Sequence, residues 1–348
     1  MPYRPDYLAI DLGPDCIQWG AGFRTLQSVR SIRISQAALA QIPAQDRAQA
    51  LVRDTLTYIR DHEGYALPTF CVVTVPYLTS RQHAQIEQTA LAMGVSFVRV
   101  IKRISAFALA VNGTGLNCGE HEQALMVQYD GAGCEVATAQ IGDGVVEMLA
   151  IVQRQPAEGT PITGELLRKD IFKAIDKSQS SGIIGIYASA GLPEEYSRML
   201  EEFFHLPCRR MPQDAVLQGG MLQAEAWTGI VRDVLMLDAT DFDIRVGHEV
   251  LMEDCTTIPA ELSMETRYHT ARPDRCIDIY LRKNNLLLDT PLAVKLSVEP
   301  LLDLGLREQT LRVWVRVDKY QHIAFEIENP HTGQRLDYPW ESIRDQLI

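Results

Sequence analysis

The sequence has no long apolar run, no closely paired cysteines and no cluster of basic residues. Its hydrophobic stretches stay well short of the roughly 20 residues that a helix needs to cross a bilayer. No apolar segment follows Arg4, so no secretory signal is predicted. The seven cysteines are scattered without a CxxC pair, which argues against a disulfide framework and for a reducing compartment. These absences together predict a cytoplasmic protein that does not act at a membrane.

The charge balance bears on the kind of partner. Asp and Glu number 45 against 33 Lys and Arg, which gives a formal net charge of -12. An acidic protein without a basic patch repels a phosphate backbone, so nucleic acid is not an expected partner. The 348 residues, 46% of them hydrophobic, are enough to build two ordinary domains with buried cores.

The first 230 residues alternate between strand-like and helix-like segments. Two successive units, each with a hairpin, a strand and helices, predict an α/β domain made of two similar lobes. Strands are expected at 7–11, 16–23, 70–75, 95–101 and 182–187, and a hairpin within 124–151. Helices are expected at 43–62, from 79 or 80 to about 94, and at 163–177, 193–204 and 212–226.

The pattern changes after Gly229. Short alternating runs separated by turn residues fill 251–338, which predicts an all-β sandwich of about 110 residues. The sequence therefore predicts a first domain over 1–230, a linker over 231–238 and a sandwich over 239–345.

Three groups of segments resemble the heat-shock protein 70 (DnaK-type) chaperone family. Residues 72–77 and 101–110 resemble the core of its first lobe, and 212–238 its last ATPase-domain helix and interdomain linker. Residues 254–259 and 317–334 resemble its β substrate-binding domain. The resemblance implies a two-lobed actin-like (ribonuclease H-like) ATPase-type domain followed by an all-β sandwich domain.

The chain is shorter than this family's pattern at three places. The spacings from Asp11 to Val72 and from Asp130 to Asp214 leave no room for the outer ATPase subdomains. Only 341–348 follow the last of the predicted sandwich strands, so we expect no helical lid. The resemblance thus implies a minimal member without its peripheral parts.

The phosphate-binding motifs of the family are altered. The first, Asp-x-Gly-Thr-Thr, is represented by Asp11, Gly13, Pro14 and Asp15. Pro14 has no N–H to donate, and Asp15 would repel phosphate where the family has a hydroxyl. The second motif keeps Asp130, Gly131 and Gly133 but loses its Thr, and the double glycine that packs on adenosine is partly kept near 188–191.

A third alteration reverses a charge. Arg103-Ile104-Ser105 aligns with the family's connecting Glu-Pro-Thr. With all motifs changed, we expect a degenerate nucleotide site that retains Asp11, Gly13, Asp130, Gly131 and Gly133, with no catalytic residue, no metal and no ATP hydrolysis. Residual binding of ATP or ADP with Mg²⁺ through Lys102 and Arg103 stays open, although a solvated helix start is the favoured interpretation of these two.

The sandwich carries a candidate peptide site. By resemblance, Ile277 and Ile279 lie on the strand that lines the family's apolar peptide cleft, and Ile244 and Val246 on the strand facing it. Inward alternation would equally make these four residues ordinary sandwich core.

Three hypotheses about function follow. The first is a non-hydrolysing DnaK-like chaperone or assembly factor that binds a partner protein or extended peptide without ATP. The second is a compact, active ATP-dependent chaperone, and the third a structural scaffold with docked domains and a filled peptide cleft. The third would fix the linker residues Val234, Leu235, Met236 and Leu237 in one position. Homo-oligomerisation stays open.

Overall fold

The protein is described by a computed structural model, which divides the chain into two compact units, Met1–Met236 and Leu237–Ile348. The division falls inside the predicted linker. The structure describes residues 4–13, 16–23, 26–33, 42, 46–76, 80–129, 133–154, 162–178, 182–231, 233–240, 242–282, 292–318 and 322–347.

The first unit begins with a five-stranded sheet in the order β3-β2-β1-β4-β5. Strand β1 is antiparallel to β2 and parallel to β4. The strands are β1 (Tyr7–Leu12), β2 (Cys16–Phe23), β3 (Leu26–Arg33), β4 (Phe70–Val75) and β5 (Phe97–Lys102), and the helices α1 (Arg47–Asp61), α2 (Ser80–Ala92) and α3 (Arg103–Asn112). The hydrophobic pattern does not predict β3.

The second half of this unit repeats the same topology. Its strands run β10-β9-β6-β7-β8, again with one antiparallel three-stranded part and two parallel additions. A further strand, β11, lies beside β8. The elements are β6 (Glu122–Tyr129), β7 (Cys134–Gly142), β8 (Val145–Arg154), α4 (Gly164–Ser178), β9 (Gly182–Ala188), α5 (Glu194–Phe204), β10 (Cys208–Arg210), α6 (Ala215–Thr228) and β11 (Leu235–Leu237).

Strand β1 is the centre of the first sheet and is buried along its whole length. One face packs on the apolar residues of α1, among them Val52, Leu56 and Ile59. The other face is covered by α6, whose Gly220 lies against Ala9. Coverage on both faces explains why the central strands are continuous apolar runs rather than alternating ones.

The last helix of each half packs on the sheet of the other half. Helix α6 packs on β1, β2 and β4, while α3 packs on β6, β7 and β8. The two helices also contact each other closely, because an added Cβ at Gly219 would lie 1.7 Å from the carbonyl oxygen of Ala106. A glycine at 219 is therefore required for the two halves to come together.

The second unit consists of two four-stranded sheets, ordered β13-β12-β15-β16 and β14-β17-β18-β19. A short helix, α7, closes the unit and packs on β16 and β18 through residues that include the buried Ile343. The elements are β12 (Asp243–Val246), β13 (Glu249–Met252), β14 (Ala260–His269), β15 (Cys276–Arg282), β16 (Leu292–Ser297), a 3-10 turn (Glu299–Leu301), β17 (Glu308–Val317), β18 (Ile323–Asn329), β19 (Gln334–Tyr338) and α7 (Trp340–Leu347).

All seven cysteines are free thiols. Cys71 lies in β4 with no exposed surface, and its burial raises the pKa of the thiol to about 12. It therefore stays protonated and unreactive at neutral pH. Across the described residues, no helix is both long and apolar enough to span a membrane.

The contact at Gly219 generates a stability prediction. Replacing Gly219 with Ala should lower the free energy of unfolding by about 2 kcal/mol or more, because backbone atoms of Ala106 would have to move away. Gly220→Ala in the same helix is the matched control, since its Cβ would meet only side-chain atoms, at 3.3 Å or more. Better helix propensity should keep that variant within about 1 kcal/mol of the wild type in denaturant unfolding. Equal losses in both variants would contradict the close helix contact.

Candidate functional site

The candidate site lies where β1 ends beside the start of α3. Asp11, in β1, is paired in parallel register with Thr74 of β4. Arg103 is the first residue of α3 and directly follows β5. Because the carboxyl ends of parallel strands share one sheet edge, three distant parts of the sequence meet here.

The Asp11 carboxylate accepts three hydrogen bonds. Arg103 Nε donates to Oδ1 over 2.8 Å and Nη2 donates to Oδ2 over 3.1 Å, a two-pronged pairing. Thr74 Oγ1 donates to Oδ1 over 2.7 Å. The Asp11 side chain is 2% exposed and that of Arg103 is 10% exposed. The pair is therefore a buried, charge-assisted interaction with little solvent screening.

The solvated interpretation of Lys102 and Arg103 is wrong. Both residues are buried, Lys102 with no exposed surface. A cation at the first position of a helix is disfavoured by the helix dipole, whose positive end lies there. The Asp11 carboxylate offsets this cost for Arg103, since it pairs with the guanidinium.

The residues around Asp11 do not fit the Mg²⁺ ion that would accompany a residually bound nucleotide. A divalent cation at this carboxylate would have to share it with a guanidinium of the same sign of charge. Bringing the ion in would mean breaking a buried ion pair, which costs several kcal/mol. The negative charge of Asp11 is thus neutralised by a side chain of the same protein.

Gly13 follows β1 at the turn toward β2. A Cβ there would lie 2.7 Å from the carbonyl oxygen of Cys16 and 3.7 Å from Nη2 of Arg103. The hairpin itself therefore requires a small residue at this position. Pro14 and Asp15, the altered residues of the segment that resembles the first motif, lie outside the described residues.

Only part of the second predicted motif is described. Asp130 and Gly131 lie outside the described residues, and Gly133 is buried immediately before β7. Nearby, Ser189 holds the end of β6, since its Oγ accepts from the backbone N–H of Tyr129 over 2.9 Å and donates to the carbonyl over 3.0 Å. A Cβ at Gly191 would lie 3.0 Å from the same carbonyl. The segment aligned with the adenosine-packing glycines thus packs on the chain's own backbone.

A row of buried polar residues in the second sheet was missed by sequence reasoning. Gln128, Glu135 and Gln153 are direct cross-strand neighbours on β6, β7 and β8. Each is at most 5% exposed, and Gln153 Nε2 donates to a Glu135 carboxylate oxygen. The Oε1 atoms of Gln128 and Gln153 have no hydrogen-bond partner among the described residues. The sequence does carry a sign of this row, because each of three otherwise apolar strands has one polar residue at the matching register position.

The predicted linker residues form a strand rather than a free connection. In β11, which spans Leu235–Leu237, the backbone N–H of Leu235 donates to the carbonyl of Gly144 over 2.9 Å. Val234 precedes this strand, and Met236 within it is buried. The chain passes so close to the β7–β8 turn that a Cβ at Gly144 would lie 1.8 Å from the Asp233 carbonyl oxygen.

The predicted peptide-site residues lie together in the second unit. Val246 on β12 faces Ile279 on β15, while Ile244 faces Leu281 and Ile277 faces Leu296 on β16. Ile244, Val246, Ile277 and Ile279 are each at most 5% exposed. All four pack on the inner side of their sheet, in the position of sandwich core residues.

No protein-family model matches the chain.

The buried ion pair generates a prediction about stability. Arg103→Met leaves the Asp11 carboxylate buried without its countercharge and should lower the free energy of unfolding by about 3–5 kcal/mol. The double variant Asp11→Asn with Arg103→Met removes both charges and should recover a large part of that loss. Denaturant unfolding of the four members of this cycle gives the coupling energy.

The control for this cycle is Arg60→Met, which breaks an ion pair with Asp61 whose side chains are 50% and 47% exposed. Screening by water should keep its effect far smaller than that of Arg103→Met. If Arg103→Met cost no more than Arg60→Met, the Asp11–Arg103 pair would not have the importance assigned to it.

The docked linker generates a prediction about proteolysis. Gly144→Ala should displace the segment around Asp233 and raise the rate of thermolysin cleavage at 235–237 by about tenfold, because local opening controls cleavage. Gly64→Ala is the control, since φ is +70° at Gly64 and +79° at Gly144, but nothing lies within 4 Å of a Cβ at 64. Equal cleavage of the two variants would show that the Asp233 contact does not hold the linker.

Proposed function

We propose that this protein is a non-hydrolysing, DnaK-like chaperone or assembly factor that binds a partner protein without using ATP. The first unit, in this proposal, is a two-lobed actin-like (ribonuclease H-like) domain, and the second is a substrate-type β-sandwich. The order of elements supports this assignment, because two copies of one α/β topology precede a unit of two four-stranded sheets.

The Asp11–Arg103 pair is the observation that carries the proposal. A nucleotide-dependent switch needs a site whose charges are completed by Mg²⁺ and phosphate. Here a buried guanidinium contacts both oxygens of the carboxylate expected to serve that role. A ligand can shift a conformational equilibrium only through a difference in affinity, and a site that is already neutralised offers a nucleotide little such difference.

The strand formed by the linker supports the same proposal. A linker that signals between nucleotide and substrate sites has to leave its binding surface during the cycle. Here Leu235 is hydrogen-bonded at the edge of the second-half sheet, above a glycine that has no space for a side chain. Such a connection favours a protein whose partner binding is constant over one whose partner binding alternates with a nucleotide cycle.

A structural scaffold is the second candidate, and the burial of Ile244, Val246, Ile277 and Ile279 favours it. These residues would line the peptide cleft in a DnaK-like sandwich. If their side chains only fill the core, the unit binds a folded partner by its surface and not an extended peptide in a cleft.

The proposed lack of nucleotide dependence predicts the outcome of a calorimetric titration. ATP with Mg²⁺ should give no saturable heat up to about 1 mM. The reason is that Asp15 would repel phosphate and that Arg103 is already paired with Asp11. The melting temperature should also stay unchanged with nucleotide, since any ligand that binds the native state would raise it. Titrations with ADP and with Mg²⁺ alone are the controls.

A dissociation constant in the micromolar range would overturn the proposal and favour a compact, active ATP-dependent chaperone. An extended apolar peptide with a fluorescent label separates the two remaining candidates. Saturable anisotropy that is unchanged by ATP supports the DnaK-like peptide mode, whereas no binding supports the scaffold.

A further inference from the structure

Strand β14 forms one edge of its sheet, with β17 as its hydrogen-bonded neighbour in the sheet, and β13 of the other sheet packs against it. It pairs with β17 over all ten residues without a register shift. No proline interrupts it, and within the described part of the chain no backbone hydrogen bond reaches its open side. A long, regular edge of this kind is a template for pairing with another strand.

The two faces of β14 differ in chemistry. Glu261, Ser263, Glu265 and Arg267 point to the outer face and are exposed. On the alternate positions, Tyr268 is buried in the sandwich, whereas Leu262 remains 39% exposed and Met264 half-buried. The core of the sandwich is thus incompletely covered along this edge.

Glu261 and Glu265 already pair with Arg316 and Arg312 of β17, over 3.2 Å and 2.6 Å. Two copies of β14 related by a two-fold axis would add complementary side chains opposite these residues. An antiparallel pair places directly opposite residues on the same face of the sheet, so the two residue numbers must add up to an even sum. Centring the axis at Met264 pairs nine residues of each copy, 260 to 268. Leu262 then faces Thr266, and the two Met264 side chains face each other.

Charge selects this register among its neighbours. With the axis at Met264, Glu261 of each copy faces Arg267 of the other, and Ser263 faces Glu265. Shifting the axis by one residue, to Ser263 or Glu265, would place glutamates directly opposite each other, which is unfavourable. Arg267 is well placed for an added partner, because its side chain is 84% exposed and its contact with Glu308 is long, at 3.9 Å.

Charged residues on an edge strand usually prevent association. Here the charge pattern is self-complementary in an antiparallel pair, because Glu261 and Arg267 are placed symmetrically about Met264.

We propose that the protein forms a two-fold symmetric homodimer through antiparallel pairing of β14 with its copy, centred at Met264. The dimer joins two four-stranded sheets into one of eight strands, in which the β14 edge of each copy is paired. This inference goes beyond the proposed function and does not depend on it, since it uses only the second unit.

Sedimentation equilibrium of the full chain tests the proposal across about 1 µM to 1 mM. The wild type should reach twice the 39.0 kDa chain mass. Arg267→Glu places two glutamates opposite each other at both ends of the pairing and should raise the dissociation constant by about 100-fold. Arg168→Glu, on an exposed position of α4, is the matched charge change and should leave dimerisation unchanged.

The double variant Glu261→Gln with Arg267→Glu removes the facing pair of glutamates without placing a second cation beside Arg316, which lies 3.2 Å from Glu261, and should recover dimerisation to within about tenfold of the wild type. Amide hydrogen exchange gives a second readout, because the outward amides of β14 should be protected in the dimer and lose protection on dilution. Far-UV circular dichroism verifies that each variant is folded.

A wild-type chain that stays monomeric over this range, or a dimer insensitive to Arg267→Glu, would overturn the proposal. Protection of β14 that appears only with an added extended peptide would also overturn it and would make the edge a site for another protein.

Discussion

The buried pair of Asp11 and Arg103 fixes how the first unit is assembled. It ties the end of the central strand β1 to the first residue of α3. That helix leaves the first sheet, packs on β6, β7 and β8, and contacts α6 at Gly219. Since α6 in turn covers β1 and β4, the ion pair lies in a chain of contacts that connects both sheets.

Two further polar contacts of the first unit are also made between groups of the same chain. Ser189 holds the end of β6, and Leu235 extends the second sheet at the β7–β8 turn. In each case the chain satisfies its own polar groups at a position where the resemblance implies an exchangeable partner. This pattern is the physical reason for proposing a protein that binds constitutively rather than one that cycles.

Sequence periodicity could predict the regular elements but not the contacts between them. The apolar run around β4 and the helical spacing of α1 were readable because burial imposes a period. Nothing in the sequence joins Asp11 to Arg103, which lie 92 positions apart. The sequence favours a solvated position for Arg103, because basic residues at the start of a helix are mostly exposed. The requirement for glycine at 219 depends on a neighbouring helix, so composition alone could not reveal it.

The exchange of terminal helices between the two halves has a consequence for synthesis. The first sheet leaves the ribosome with its α1 side covered, but the face that meets α6 stays open until about residue 228 is made. Through that interval the nascent chain exposes the apolar surface of β1 and β4, a state prone to misassembly. Neither half can therefore be expected to mature as an independent fragment, and the two should gain and lose their native packing in one cooperative step.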